Sequence, residues 1–333
     1  MRILIVGGTR FVGRHIAEAA LAAGHEVTLL HRGRTGGDLF PDATHLLADR
    51  NGDLGVLAGG HWDATVDVSA YRPVQVSALA AALGGNGGHY VFISSVSVYE
   101  PPAAPGYAED SPVRELPPGP VPDTVTDETY GALKVLCERA AVEHFGPGTL
   151  VVRPTYVIGP WDHSGRFGYW VHRLARGGEV LAPGHPDRAV QLIDARDLAV
   201  FVLRGLTSGL AGTFHTVGPW LSFDALLTRV AAEVAPAGTR LVWVDPGFLL
   251  DRGETGDTLP LWYAGDDGDA LVNTADPGAA IRAGLTLRPL PESVRDTLHE
   301  PAVPGFLPPD READLLAAWG QSPKAKSVPP PTT

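Results

Sequence analysis

The sequence predicts an α/β fold: a doubly wound parallel sheet followed by a smaller C-terminal α/β domain. Three observations predict it. Over the first 150 residues, short β-branched apolar runs alternate with stretches of helical periodicity, the pattern of parallel strands joined by crossover helices. The first of those runs stops at paired glycines that open straight into a helix. At 333 residues, 44% of them apolar and 19% charged, the chain is long enough to bury a sizeable core in one large or two smaller domains.

Taken in order, residues 2–6 (Arg-Ile-Leu-Ile-Val) form a first buried strand and residues 11–23 a helix that ends at Gly24. Further strands are expected at 26–31, 45–48, 64–68, 89–94 and 149–152, with helices at 73–83 and 129–144. Residues 194–206 and 213–217 are read as a return to this first half. The nucleotide-binding domain then spans 1–158 plus about 194–220, and the substrate domain about 159–193 and 221–319. A strand at 240–244 and helices at 223–234, 276–283 and 292–299 fit the smaller domain. Residues 320–333, rich in Pro and Ser, are expected to be disordered.

Between the first strand and first helix stands Gly7-Gly8-Thr9-Arg10-Phe11-Val12-Gly13. In a Rossmann-type unit this loop presents backbone amides and a helix N-terminus to a dinucleotide pyrophosphate. Gly7 permits the sharp turn and Gly13 the close helix packing. An NAD site usually carries an acid at the end of the second strand to hold the ribose hydroxyls; here that place holds His31, Arg32 and Arg34. A carboxylate would repel a 2′-phosphate, whereas arginine grips it bidentately, so the sequence favours NADP, with NAD as the other possibility. Arg10 could reach the same phosphate. Asp49, after the third strand, is a candidate partner for the adenine amino group.

Of 26 basic residues three are lysine, Lys134, Lys324 and Lys326, so 23 are arginine. Lys134 is thus the single lysine ahead of the C-terminal tail. An ammonium is a compact point charge with a movable pKa, which guanidinium is not. Four residues earlier lies Tyr130, on the same face of the expected helix. That spacing suggests a tyrosine made more acidic by a neighbouring cation.

Other features set limits. A net charge of −12 repels phosphate backbones across the surface as a whole, so no nucleic acid partner is expected. No run approaches a membrane span and the start of the chain has no secretory pattern, which predicts no membrane partner and a cytoplasmic protein. The one cysteine, Cys137, excludes an intramolecular disulfide and reads as a small packing residue. No metal site is expected: Asp266-Asp267-Gly268-Asp269 lacks the distal glutamate of a calcium loop, and His163, His172 and His185 lack metal-like spacing.

Together these motifs resemble the extended short-chain dehydrogenases/reductases, the NAD-dependent epimerase/dehydratase family, over about residues 1–300. The Gly-Gly-Thr-Arg-Phe-Val-Gly loop is similar to that of an atypical subgroup with a GGxxxxG loop, which includes bacterial reductases and chloroplast stem-loop-binding proteins. The resemblance implies that Ser95, in Phe92-Ile93-Ser94-Ser95-Val96-Ser97-Val98-Tyr99, joins Tyr130 and Lys134 as the catalytic set. Ser95 would bond the substrate oxygen, Tyr130 would pass the proton, and Lys134 would stabilise the phenolate and hold the nicotinamide ribose. Ser94 and Ser97 read as structural. Cofactor-binding residues would be Gly7, Thr9, Arg10, Phe11, Val12, Gly13, Arg32, Arg34, Asp49 and Lys134. Val96, Tyr156, Trp161 and Tyr169 would border the substrate, with Trp170 a further aromatic of the same stretch. The eight prolines among residues 101–122 suggest a semi-rigid loop beside the site.

The departures from the family pattern also inform. Dehydratases resemble one another in an Asp-Glu pair after the catalytic Ser/Thr, where this chain has Val96 and Ser97. Sugar-nucleotide epimerases share an Arg-x-x-Asn segment and an arginine-led diphosphate segment; here the asparagine is Tyr156 and the arginine is Val190, with Arg188 two residues away. The expected activity is NADP-dependent hydride transfer between nicotinamide and a small carbonyl or alcohol, in specialised metabolism rather than on a nucleotide sugar. The alternatives are an epimerase with retained cofactor and a non-catalytic binder of NADP or RNA. The resemblance also implies a homodimer formed through the helices after the fourth and fifth strands.

Overall fold

The computed structural model describes residues 1–265 and 270–323. The acidic run at 266–269 and most of the expected tail, residues 324–333, lie outside the described residues. The chain divides into two compact units: residues 1–157, 192–219 and 275–287 in the first, and 158–191, 220–274 and 288 onward in the second.

Continuous apolar runs become strands because a parallel sheet is covered on both faces and has no solvent side to supply with polar residues. In the first unit these are β1 (Arg2–Val6), β2 (Glu26–His31), β3 (Thr44–Leu47), β4 (Ala64–Asp67), β5 (His89–Ile93) and β6 (Leu150–Pro154). The chain then passes through β7 (Tyr156–Ile158), β8 (Glu179–Pro183), β9 (Ala189–Val190) and β10 (Leu192–Asp194) before β11 (Gly212–Thr216) completes a seven-stranded sheet. Its order is β11-β6-β5-β4-β1-β2-β3, with parallel pairing throughout.

Alternate residues of each strand serve opposite faces. Ile3, Ile5, Leu29 and Val66 join one cluster with Ile16 and Ala20 of α1 (Phe11–Ala22). Leu4, Val6, Leu30 and Phe92 join the other with Val76 and Leu79 of α2 (Pro73–Leu83) and Cys137 and Ala141 of α3 (Asp127–Phe145). α4 (Arg166–Arg176) lies in the second unit, and α5 (Ala195–Ser208) returns to the first face through Leu198 and Phe201. The strand order reverses between β1 and β4, so the loops after them flank the crevice where such sheets bind ligands.

Several boundaries moved for visible reasons. The helix expected at 129–144 starts at Asp127, because Thr126 and Thr129 form a reciprocal capping box and Asp127 and Glu128 suit the first turn. Strand β5 stops at Ile93 rather than Ser94, as Ser95 caps a 3-10 turn over Val96–Val98. Residues 276–283 need correction: they belong to the first unit, not the substrate domain. There α8 (Gly278–Arg282) buries Ala280 in the cluster beside α5, with Leu285 following it, and apolar burial rather than chain proximity decides the assignment.

The second unit contains α4, α6 (Phe223–Val234), α7 (Pro246–Leu250), α9 (Leu290–His299) and α10 (Pro309–Gly320). It also has a parallel β8–β13 pair (β13, Arg240–Val244) and an antiparallel β9–β12 pair (β12, Leu221–Ser222). α10 was not expected. Its buried Glu312 accepts from Arg173 Nε (2.5 Å) and from the Leu181 N–H (2.9 Å), which ties α10 to α4 and β8.

Candidate functional site

The glycine loop is pinned by close packing. Gly7 takes φ +95°, and a Cβ on Gly13 would lie 2.1 Å from the Gly7 carbonyl oxygen. Only glycine lets the first turn of α1 rest on the loop. No side chain caps α1 and no acid occupies its first turn, so the positive end of its dipole is left for an anion. Thr9 and Phe11 are buried, Val12 is half-buried, and Arg10 at the N-cap is exposed.

Arg32 and Arg34 follow β2 and are both exposed. Just before them, His31 is fixed by a chain of bonds that also sets its tautomer. Its Nδ1 accepts from the Gly33 N–H (3.1 Å), so Nε2 carries the hydrogen and donates to His45 Nδ1 (2.8 Å); His45 Nε2 then donates to the Phe40 carbonyl (3.2 Å). Burial, followed by the nearness of a second imidazole, His45, keeps the His31 pKa below its ordinary value, consistent with a neutral His31. The Asp49 carboxyl is held below the usual range first by the Asn51 backbone N–H and in smaller part by Arg32 and Arg34, which places these three charges in one neighbourhood. Its Oδ1 takes both Asn51 bonds, each 3.0 Å.

Arg50, which sequence reasoning missed, braces the end of β4. It grips fully buried Asp67 through Nη1 (2.6 Å) and Nη2 (2.9 Å) and reaches Ser69 Oγ (3.0 Å) and the Gln75 carbonyl (3.2 Å). The Tyr90 hydroxyl donates to the same carboxylate (2.9 Å). Burial alone would raise the Asp67 pKa, but the Arg50 charge and these bonds bring it below the usual value.

The other wall is built on β5 and α3. Ser95 Oγ accepts from the Ser97 N–H (3.1 Å) and donates to Ser97 Oγ (3.0 Å); Ser97 therefore fixes the Ser95 hydroxyl itself. A Cβ on Gly131 would lie 2.1 Å from the Ser97 carbonyl oxygen, so α3 presses directly on the Ser95 turn. Lys134 is 3% exposed. Its ammonium donates to the carbonyls of Ile93 (2.7 Å) and Ala70 (3.0 Å) and lies 4.4 Å from the centre of the Phe92 ring. Burial lowers its pKa to about 8. An ammonium has three N–H donors, and these two carbonyls take two of them.

One turn further along α3, Glu138 shares the face of Tyr130 and Lys134. It accepts from Ser94 Oγ (2.5 Å) and from Arg153 Nε (2.9 Å) and Nη2 (2.6 Å). Arg153 Nη1 also donates to the Tyr99 hydroxyl (2.5 Å). His215 Nδ1 donates to the Asp276 carbonyl (3.1 Å), which leaves Nε2 to accept from Tyr99 (2.5 Å); burial keeps the His215 pKa low. Through its bond to Glu138, Ser94 couples the strand that leads to Ser95 to the helix that bears Tyr130. The helical spacing of Glu138 from Lys134 was the one sequence signal for it.

The expected substrate-side residues divide between the two units. Val96 is 5% exposed within its 3-10 turn, and Tyr156 is half-buried on β7. In the second unit Trp161, at φ +62°, lines a cavity of about 250 Å³ together with Phe167, His172 and Thr297. Tyr169 packs on Trp170 and Phe306, and its hydroxyl is buried without a partner. Trp170 is core: it is 0% exposed and its indole N–H donates to the Pro260 carbonyl (2.6 Å).

A parallel sheet with a glycine-pinned helix at its switch point, and a Ser, Tyr and buried Lys beside it, defines an extended short-chain dehydrogenase/reductase. The chain belongs to the NAD-dependent epimerase/dehydratase family, whose model matches residues 3–218. It is 25% identical over 249 residues to the chloroplast stem-loop binding protein of 41 kDa b of Arabidopsis thaliana, a match covering 69% of this chain and 62% of that protein. The chain thus spans less than two thirds of that relative's length. It is 29% identical over 237 residues to the epimerase family protein SDR39U1 of Bos taurus, covering 66% of this chain and 75% of the relative. Among solved structures it is similar to the UDP-glucose 4-epimerase of Thermotoga maritima bound to UDP-glucose, with a TM-score of 0.67, 16% identity, and coverage of 90% and 97% of the two chains. No helix among the described residues is long and apolar enough to cross a membrane.

Proposed function

We propose that the chain is an NADP-dependent oxidoreductase that moves hydride between nicotinamide and a small carbonyl or alcohol substrate. The observation that carries this is the burial of Lys134, with its ammonium pinned to the carbonyl two residues before Ser95 and its helix pressed on the Ser95 turn. A lysine on the surface would need no such fixing.

The residues present fit the cofactor. The α1 N-terminus, cradled by Gly7 and Gly13, would hold the pyrophosphate, and Arg32, Arg34 and Arg10 the 2′-phosphate. Thr9, Phe11 and Val12 would shape that loop, and Asp49 would meet the adenine. When bound, NADP supplies or accepts the hydride. Lys134 would turn its remaining donor to the ribose while its charge lowers the cost of a Tyr130 phenolate. Ser95 would turn its one hydroxyl hydrogen from Ser97 Oγ to the substrate oxygen, and Tyr130 would deliver a proton to that oxygen, or remove one in the oxidative direction. Val96, Tyr156, Trp161 and Tyr169 are proposed around the substrate.

A homodimer through α2 and α3 belongs to the same proposal, supported by Val74 and Val142, which stand 58% and 47% exposed on those helices.

Absorbance of the nicotinamide provides the test. With NADPH and small aldehydes or ketones, net oxidation is expected, and Tyr130→Phe should lower kcat about a thousandfold. Conversion of an added UDP-hexose without net absorbance change would replace this proposal with an epimerase. Unchanged turnover in Tyr130→Phe would sink the catalytic assignment.

A further inference from the structure

Beside Tyr130 the structure holds a second phenol that no family motif required. Tyr71, on the loop after β4, is 45% exposed; its ring centre lies 6.2 Å from that of Tyr130, at an interplanar angle of 45°. The Lys134 ammonium is 5.4 Å from the Tyr71 ring centre. So large an aromatic surface left open next to a catalytic pair invites a partner.

The loop has little freedom to withdraw that ring. Ahead of it, the Ala70 carbonyl accepts from Lys134 (3.0 Å). The backbone N–H groups of Tyr71 and Arg72 both donate to Gln75 Oε1, at 2.8 and 3.0 Å. The Arg72 guanidinium then spans to Asn51 Oδ1 (3.2 Å) and Asp123 Oδ1 (2.9 Å), and Gln75 Nε2 donates to the same Asn51 oxygen (2.7 Å). The Asp123 bond draws in the segment ahead of α3, where Val121 and Val125 are 47% and 38% exposed. Tyr130 is therefore flanked by a fixed aromatic face, while Arg72 and Asp123 pair with each other.

We propose that Tyr71 is a specificity-determining residue, a rigid wall that selects carbonyl substrates carrying a flat apolar group next to the reacting carbon. This rests on Tyr130 being the proton donor of the proposed function. The ring, rather than its hydroxyl, does the selecting. A highly hydroxylated substrate would leave the ring facing polar groups.

Binding should be measured on the NADP-loaded full chain and turnover separately with NADPH supplied, with benzaldehyde and hexanal as probes. By NMR titration the wild type should bind benzaldehyde more tightly than hexanal. Tyr71→Ala should weaken benzaldehyde about fivefold, the worth of one aromatic contact, and leave hexanal and NADPH affinities unchanged. Tyr71→Phe should behave as wild type. Equal weakening of both probes, a loss of NADPH affinity in Tyr71→Ala, or no preference in the wild type would each overturn the assignment. Selective binding through Tyr71 with turnover of neither probe would instead leave Tyr71 standing and overturn the oxidoreductase reading.

Discussion

Lys134 is 3% exposed and bonded to two backbone carbonyls, whereas Arg32 and Arg34, at the end of β2 in the same sheet, are exposed. One turn along α3 from Lys134, Glu138 with Arg153, Ser94, Tyr99 and His215 forms a continuous buried network. Around the two arginines the fold fixes the backbone, through the Gly33 N–H bond to His31 and the His31–His45 relay, and leaves the side chains open to solvent. Groups that must keep one geometry during a reaction are locked by burial. Groups that recognise a charged ligand need only be delivered to the right place, because the ligand itself can order them.

The comparison breaks first at Lys134. Lys134→Arg should lower kcat/KM about a hundredfold or more, because the larger, planar guanidinium does not fit the close space between Ile93, Ala70 and Phe92. The same burial sets a pH limit. With its pKa lowered to about 8, Lys134 is charged below that pH and loses its proton as the pH rises through it, so kcat/KM of the cofactor-free form should fall on the alkaline side near pH 8. A rate flat to pH 10 would show that the ammonium does not matter.

Glu138 tests whether the buried network carries the geometry. Glu138→Ala leaves the Arg153 charge unpaired inside the protein and should cost about 3 kcal/mol in urea unfolding. The milder Glu138→Gln should keep the fold and lower kcat more than it raises KM, through misplacement of Ser95 against Tyr130. The smallest effect is expected at the open rim. Arg32→Ala with Arg34→Ala should raise the KM for NADPH about tenfold to a hundredfold, with kcat and NADH affinity unchanged. Equal effects on NADPH and NADH would move the 2′-phosphate elsewhere.

The residues legible from sequence share one property: their signal is local. Arg2–Val6 followed by Gly7 and a helix, and Tyr130 four residues before Lys134, are patterns within a few turns of chain. The supports were not legible for the opposite reason. Arg50 meets Asp67 from 17 residues away and Lys134 meets the Ala70 carbonyl from 64, and no periodicity reports such pairs. Residues 276–283 looked like part of the substrate domain because their neighbours in sequence are, yet Ala280 finds its core beside α5. Tyr71 carried no motif at all; only the Gln75 and Arg72 bonds, which hold its loop, give it a place beside Tyr130.

By itself the sequence determined the alternation of strand and helix, the glycine turn and the Tyr–Lys face, because backbone sterics and the 3.6-residue repeat act over short distances. Which charges are buried, which stay open, and which aromatic stands beside Tyr130 were decided only by the tertiary structure, since burial and desolvation depend on chain segments that meet only on folding.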